Sequence, residues 1–343
     1  MDGRKVFAPL DLEVDARLLK ALRGSLFHLP CGELAQMLGV TADVVRTRVG
    51  ILRAAGYEIE EQPHLGYRLV SSPDRLIADD IFARLDRVFL VNKIVVFEET
   101  GSTNDVTARL GHGGTPEGLV VFAEKQNSGR GRLGRRWESS AGRGLWFSLL
   151  LRPGFPLRRW ARLTTWAAVA VAQGIEDATF CRVSIKWPND IYVDGLKIAG
   201  TLIETQIDGS GNHFAVAGIG VNINQEQGDF PESLRNKAGS LRMAGGRFLD
   251  RQGVAAAILQ HLDATYSRIE PAFAEMVAFA RTRSCLAGCW VEIAGGETRE
   301  QGTVEGLSEE GALLLRRADG NLATISGGEV VSVTGWREAG KRL

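Results

Sequence analysis

The chain has 343 residues, 44% of them hydrophobic, and its 41 basic residues balance 41 acidic ones to a formal net charge of zero. That length exceeds one ordinary core and points to two or three domains, while the charge balance excludes a solvated tail or a protein that coats nucleic acid over its whole surface. No run approaches the ~18 apolar residues of a membrane helix, and residues 1–17 lack a signal-peptide core, so a cytoplasmic protein with no membrane partner is expected.

Residues 10–69 read as helices followed by a short hairpin. CGELAQML (31–38) is amphipathic, Gly39-Val40 turns the chain, and Thr41 caps a second helix through about residue 55. Residues 57–69, with Pro-His-Leu-Gly between two extended runs, fit a two-stranded wing, and the whole reads as a winged helix-turn-helix. Its second helix offers Arg46, Arg48 and Arg53 to DNA phosphates or base edges; a purely architectural module is the alternative. Ser71-Ser72-Pro73-Asp74 reads as a linker.

From about 75 to 283 strands and helices mix. Strands are expected at 91–98 and 119–124, an alanine-rich helix at 159–178, a meander of hairpins over 181–224 and one helix over 253–279. Strands outnumber strand–helix alternations, which favours an α+β fold on a mixed sheet over a doubly wound one. Within this region QNSGRGRLGRRW (126–137) gathers Arg130, Arg132, Arg135 and Arg136 with Gly129, Gly131 and Gly134. Glycines let backbone amides approach a ligand and clustered guanidinium groups bind carboxylate or phosphate, so the loop is expected to close over an anionic small molecule. Its G-x-G-x-x-G spacing is not a dinucleotide fingerprint, because no helix starts at the third glycine and no acid follows at the required distance. The loop 126–144, with five glycines, is expected to pack poorly until ligand charge orders it. Lys186 ends an apolar strand immediately before a Trp-Pro-Asn-Asp turn, and Asp194-Gly195 between apolar runs predicts a tight hairpin. From 288 onward the texture changes to short strands separated by glycine turns. Cys31, Cys181, Cys285 and Cys289 are scattered apart from one C-x3-C pair, which implies reduced thiols and no metal site.

GRGRLGRRW, KWPND (186–190), KIAG (197–200) and GIGVNIN (218–224) occur in an order and spacing that resembles the biotin–protein ligase family. With the N-terminal region added, the chain resembles the bifunctional type that also represses the biotin operon. The resemblance covers nearly the whole chain. It implies a winged helix-turn-helix over 1–72, a biotin- and ATP-binding catalytic domain over 73–284, and an SH3-like β-barrel over 285–343. Biotin would be activated by MgATP as biotinyl-5′-AMP and passed to one lysine of a biotin carboxyl carrier protein, a subunit of acetyl-CoA carboxylase.

By the same resemblance Lys186 and Arg132 are catalytic. Ser102, Thr103, Asn104, Gln126, Gly129, Arg130, Gly131, Arg132, Lys186 and Gly200 would bind biotin. Arg132, Arg135, Trp137, Lys186, Asn189, Lys197 and Asn222 would hold the nucleotide. Thr41, Arg46, Thr47 and Arg48 would meet operator DNA, and a ligand-induced homodimer would bind two half-sites. A lipoate ligase, or a DNA-binding biotin sensor without ligase activity, are the alternatives. The middle of the recognition helix departs from the family, which leaves the operator sequence open.

Overall fold

The computed structural model describes residues 12–86, 88–295 and 298–335, so both ends of the expected N- and C-terminal domains, 1–11 and 336–343, lie outside the described residues. Helices α1 (Leu12–Arg23), α2 (Cys31–Leu38) and α3 (Ala42–Ala54) precede a hairpin of β1 (Glu58–Gln62) and β2 (Gly66–Ser71). Apolar residues at helical spacing, Leu18, Leu19 and Leu22, then Leu34 and Leu38, then Val45, Val49 and Leu52, meet Tyr57, Ile59 and Tyr67 of the hairpin in one core. Gly39 ends α2 at φ 69°, and the Thr41 side chain accepts from the Val44 amide to start α3. The hairpin turn uses positive φ at His64 and Gly66, and a Cβ on Gly66 would lie 1.9 Å from the Leu29 carbonyl oxygen.

Of the three arginines expected to meet DNA, Arg46 and Arg53 are exposed and Arg48 is not. Arg46 is exposed beside Asp43, but Arg48 turns inward to Asp15 at 3.5 Å, with its side chain 13% exposed. Arg53 donates through Nε and Nη2 to the Ile59 carbonyl and stacks over Tyr67, so it braces the hairpin. Helix α4 (Ala78–Ala83) brings Asp79 to the Asp15–Arg48 pair. Burial, then the Asp15 charge, pushes the Asp79 carboxyl up to about 7. The folded state therefore binds this proton more tightly than the unfolded chain between about pH 4 and 7, and stability falls as pH rises through that window. Asp79→Asn should raise urea-unfolding stability at pH 8 by about 1–2 kcal/mol after solvent screening, and leave it unchanged at pH 4. An equal effect at both pH values would contradict this assignment.

The central sheet contains β3 (Lys93–Thr100), β4 (Leu119–Gln126), β5 (Gly144–Leu151), β6 (Ser184–Lys186), β7 (Asp190–Val193), β8 (Leu196–Ile207) and β9 (His213–Asn222), in the spatial order β3-β4-β5-β9-β8-β7-β6. Only β3 and β4 are parallel, joined by the crossover helix α5 (Thr103–His112), so the sheet is mixed. Both faces are covered. Val120 and Phe122 of β4 point into the large core with α6 (Arg162–Thr179), whereas Leu119 and Val121 point to the α5 side with Leu150, Phe214 and Val216. The β7–β8 turn has positive φ at both Asp194 and Gly195, as a tight hairpin requires.

After a short α7 (Leu241–Gly245), the single helix expected over 253–279 is two, α8 (Arg251–Tyr266) and α9 (Phe273–Arg283). Pro271 lies between them; it has no amide to donate and disfavours helical geometry at Glu270. The C-terminal strands β10 (Trp290–Gly295), β11 (Thr298–Leu307), β12 (Leu313–Arg316), β13 (Leu322–Ile325) and β14 (Glu329–Thr334) form an antiparallel sheet in the order β13-β12-β11-β10-β14. Its edges are β13 and β14, and no pairing among the described residues closes it into a barrel. Val291, Ile293, Val304, Leu313 and Leu315 join the core of the central unit, so the two sheets share one interior. Among the described residues no helix is long and apolar enough to cross a membrane.

Candidate active site

A cavity of about 720 Å³ opens on the α5 side of the central sheet. Its floor follows from strand register. Lys186 on β6 lies opposite Asp190 on β7, Asp190 opposite Gly200 on β8, Gly200 opposite Gly220 on β9, and Gly220 opposite Trp146 on β5. Directly opposed residues share a face, so one row runs from a lysine across a carboxylate onto two glycines. The parallel row beside it is Ser148, Gly218 and Leu202. Alternate glycines in GIGVNIN thus strip one face of β9 of side chains and leave a trench.

Two side chains settle into that trench. Trp137 covers Gly220, where a Cβ would lie 2.6 Å from its indole, and it also reaches Gly200. Asn104 covers Gly218, where a Cβ would lie 2.2 Å from its Oδ1. By strand spacing the Gly218 end and Lys186 are about 14 Å apart, three strands away. The cavity is long and narrow, with chemically different ends.

The Gly218 end is lined by the uncharged polar side chains of Ser102, Thr103, Asn104 and Gln126. Ser102 stands at the N-cap position of α5, but its side chain makes no capping bond. Gln126 donates to Ser139 Oγ and through Oε1 accepts from both the amide and the hydroxyl of Thr103. Ser102, Thr103 and Asn104 are all buried.

The opposite end is cationic. Lys186 Nζ donates to the Val330 carbonyl at 3.3 Å, and Arg132 donates to the Gly328 carbonyl at 3.1 Å. Burial pushes both cations below their ordinary pKa, the mark of partly desolvated charges that attract an anion more strongly. Arg135 pairs with Glu329, and Lys197 pairs with Asp190 at 2.7 Å while lying 5.3 Å from the Trp137 ring centroid. The Trp137 Nε1–H is buried with no acceptor among the described residues.

Of the residues singled out from sequence, Ser102, Thr103, Asn104, Gln126, Arg130, Gly131, Arg132, Arg135, Trp137, Lys186, Asn189, Lys197, Gly200 and Asn222 all line this cavity. Gly129 is set back from it: its carbonyl accepts from the Trp137 amide, and a Cβ there would meet the Trp137 oxygen at 2.5 Å. Arg130 is held by Asp105 in a bidentate pair at 2.6 and 2.8 Å. Asn189 and Asn222 act largely on protein. Asn189 donates to the Thr201 carbonyl and accepts from Arg132, while Asn222 donates to the Gly239 carbonyl and accepts from Gln225.

The loop 126–144, expected to pack poorly when empty, is a self-bonded hairpin. Gly131 donates to the Arg135 carbonyl, Trp137 to Gly129, and Ser128 to Gly101. Residues 329–331 of β14 also line the cavity and were not anticipated, nor was Asp190. Among the described residues no group of three or more His, Cys, Asp or Glu side chains is placed to hold a metal ion.

Three sequence signatures match the chain: the HTH domain over residues 16–68, the Biotin/lipoate A/B protein ligase family over 96–224, and the Biotin protein ligase C terminal domain over 291–332. The bifunctional ligase/repressor BirA of Bacillus subtilis is 39% identical over 234 residues, 68% of this chain and 72% of that protein. The protein of the same name from Bacillus spizizenii is 35% identical over 84% of this chain and 89% of its own. The solved biotin protein ligase of Aquifex aeolicus in complex with biotin and ATP superposes with a TM-score of 0.61 at 30% identity, covering 71% of this chain and 99% of that one.

Proposed function

The chain belongs to the biotin/lipoate A/B protein ligase family, and we propose that it is an ATP-dependent biotin–protein ligase that also acts as a DNA-binding repressor. The observation that carries this is the trench: a neutral hydrogen-bonding end at Ser102–Asn104 and a cationic end at Lys186, Arg132 and Arg135, joined over glycines. A biotin molecule matches it, with an uncharged ureido ring at one end and a carboxylate at the other.

In this reading Lys186 and Arg132 bring the biotin carboxylate and the ATP α-phosphate together against their mutual repulsion. They then stabilise the charge that develops as biotinyl-5′-AMP forms and pyrophosphate leaves. Ser102, Thr103, Asn104, Gln126, Gly131 and Gly200 enclose biotin, and Arg130 anchors the loop. Trp137, through its ring and its orphaned N–H, receives the nucleotide together with Arg135, Lys197 and the edges held by Asn189 and Asn222. Mg2+ would arrive on the triphosphate, with Asp190 and Glu329 as the nearby carboxylates, and would neutralise phosphate charge. The acyl group then passes to a lysine of a biotin carboxyl carrier protein of acetyl-CoA carboxylase. Residues 1–72, 73–284 and 285–343 serve as the DNA-binding, catalytic and SH3-like units of a cytoplasmic protein that dimerises when loaded. At the DNA side Thr41, Arg46 and Thr47 remain exposed for contact, whereas Arg48 serves the interior.

Incubation with a carrier domain, MgATP and biotin should add the mass of one biotin to a single acceptor lysine, while lipoic acid adds nothing. Transfer of lipoate, or no transfer at all, would overturn the ligase assignment.

A further inference from the structure

Beyond the residues that line the biotin end, we infer that Glu204 and Ser148 are positioning residues, which lock the Asn104 amide in the one orientation that receives the ureido ring. The inference rests on the biotin-ligase reading above. Ser148 is fully buried on β5, directly opposite Gly218, on the face where α5 begins. Its Oγ lies 2.6 Å from Asn104 Oδ1 and 2.7 Å from Thr103 Oγ1. Glu204 on β8 accepts from Asn104 Nδ2 at 2.5 Å.

These contacts decide which way the amide points. A carboxylate oxygen accepts and does not donate, so it demands the nitrogen end of Asn104; a flipped amide would set oxygen against oxygen at that short distance. Ser148 then has one proton for two oxygen neighbours. The Thr103 hydroxyl gives its own proton to Gln126, so when Ser148 donates to Asn104 Oδ1 the amide is held at both ends, its oxygen by Ser148 and its nitrogen by Glu204. Gly218 leaves the space in which the amide lies. A cyclic urea carries one carbonyl acceptor between two N–H donors, and a pocket for it gains from an amide that cannot rotate.

Glu204 also links this end to the arginine loop. Its Oε2 lies 3.5 Å from Arg130 Nη2, and Arg130 is already clamped by Asp105. One carboxylate therefore touches both the Asn104 amide and the arginine loop. Neither Ser148 nor Glu204 belongs to the motifs that identify the family in this sequence.

Calorimetric titration with biotin alone, and steady-state kinetics with biotin and ATP varied separately, test the assignment. Glu204→Ala should weaken biotin binding roughly ten- to a hundredfold, the cost of unmaking a charge-assisted hydrogen bond. Ser148→Ala should weaken it several-fold, and Glu204→Gln, which keeps an acceptor, should fall between wild type and Glu204→Ala. For all three the biotin KM rises with the Kd, while the ATP KM and the kcat at saturating biotin move less than about twofold. Wild-type affinity in Glu204→Gln and Ser148→Ala, or an equal shift of both KM values, overturns the inference even if Glu204→Ala does not fold. Failure of the wild-type protein to bind biotin would instead remove the ligase reading on which it rests.

Discussion

Lys186→Met lowers the rate of pyrophosphate release from biotin and ATP by about 10²- to 10³-fold, the usual cost of deleting one preorganised donor from a site that stabilises developing charge. The expectation follows from the register row. Lys186 shares its face with Asp190, Gly200 and Gly220, so it stands at one end of the row that runs toward the head-group end. The Val330 carbonyl accepts from its ammonium at 3.3 Å and helps to orient it. Lys186→Arg should not restore the rate, because a planar fork does not replace a compact point charge between two anions.

Titration supplies a second reading. Burial holds the Lys186 pKa below its ordinary 10.5, so the alkaline limb of the adenylation rate should begin at lower pH than for a solvated lysine. That limb should vanish in Lys186→Arg. A methionine variant within tenfold of wild type would remove Lys186 from the reaction.

Much of this site is legible in the chain because its chemistry is local. Glycines and arginines alternate in one loop, a lysine is pinned before a proline turn, and Asp-Gly marks the hairpin that brings β7 onto β8. The period-two glycines at 218 and 220 also carry a message that the motif alone hides, since residues two apart on a strand share a face. Helical spacing likewise foretells the fate of Arg48. It falls three after Val45 and four before Leu52, on the stripe that faces the core, so counting its charge as exposed ignored the period.

Other features have no local signal. Glu329 and Val330 reach Arg135 and Lys186 from a strand more than 140 positions along the chain, through packing of one sheet on another. Ser148 and Glu204 look like unremarkable strand positions until register sets them beside Asn104.

Arg251→Met should lower unfolding free energy by about 3–5 kcal/mol in chemical denaturation, the largest stability change expected of any single substitution here. Arg251 opens α8 with its side chain 1% exposed, yet it carries a full charge. Its guanidinium donates to Glu124 at 2.7 and 3.3 Å, to the Asp74 carboxylate at 3.0 Å and to the carbonyls of Asp74 and Gly144. Glu124 in turn accepts from the Leu76 amide. One side chain thus ties the stretch behind the N-terminal unit to β4, two residues before Gln126 in the head-group pocket.

Its neighbour Gln252 extends the junction. It donates to Asp80, a fully buried carboxylate that also meets Tyr57, Arg23 of α1 and Arg84. Methionine matches the length of the arginine stem but leaves Glu124 largely buried and without its cation, and that uncompensated charge is the source of the loss. The double variant Arg251→Met with Glu124→Leu should recover most of the stability, because replacing both members of a buried pair by apolar groups is often close to neutral. A loss below about 1 kcal/mol in the single variant, or no recovery in the double one, would show that packing around α8 and not this charge network holds the junction together.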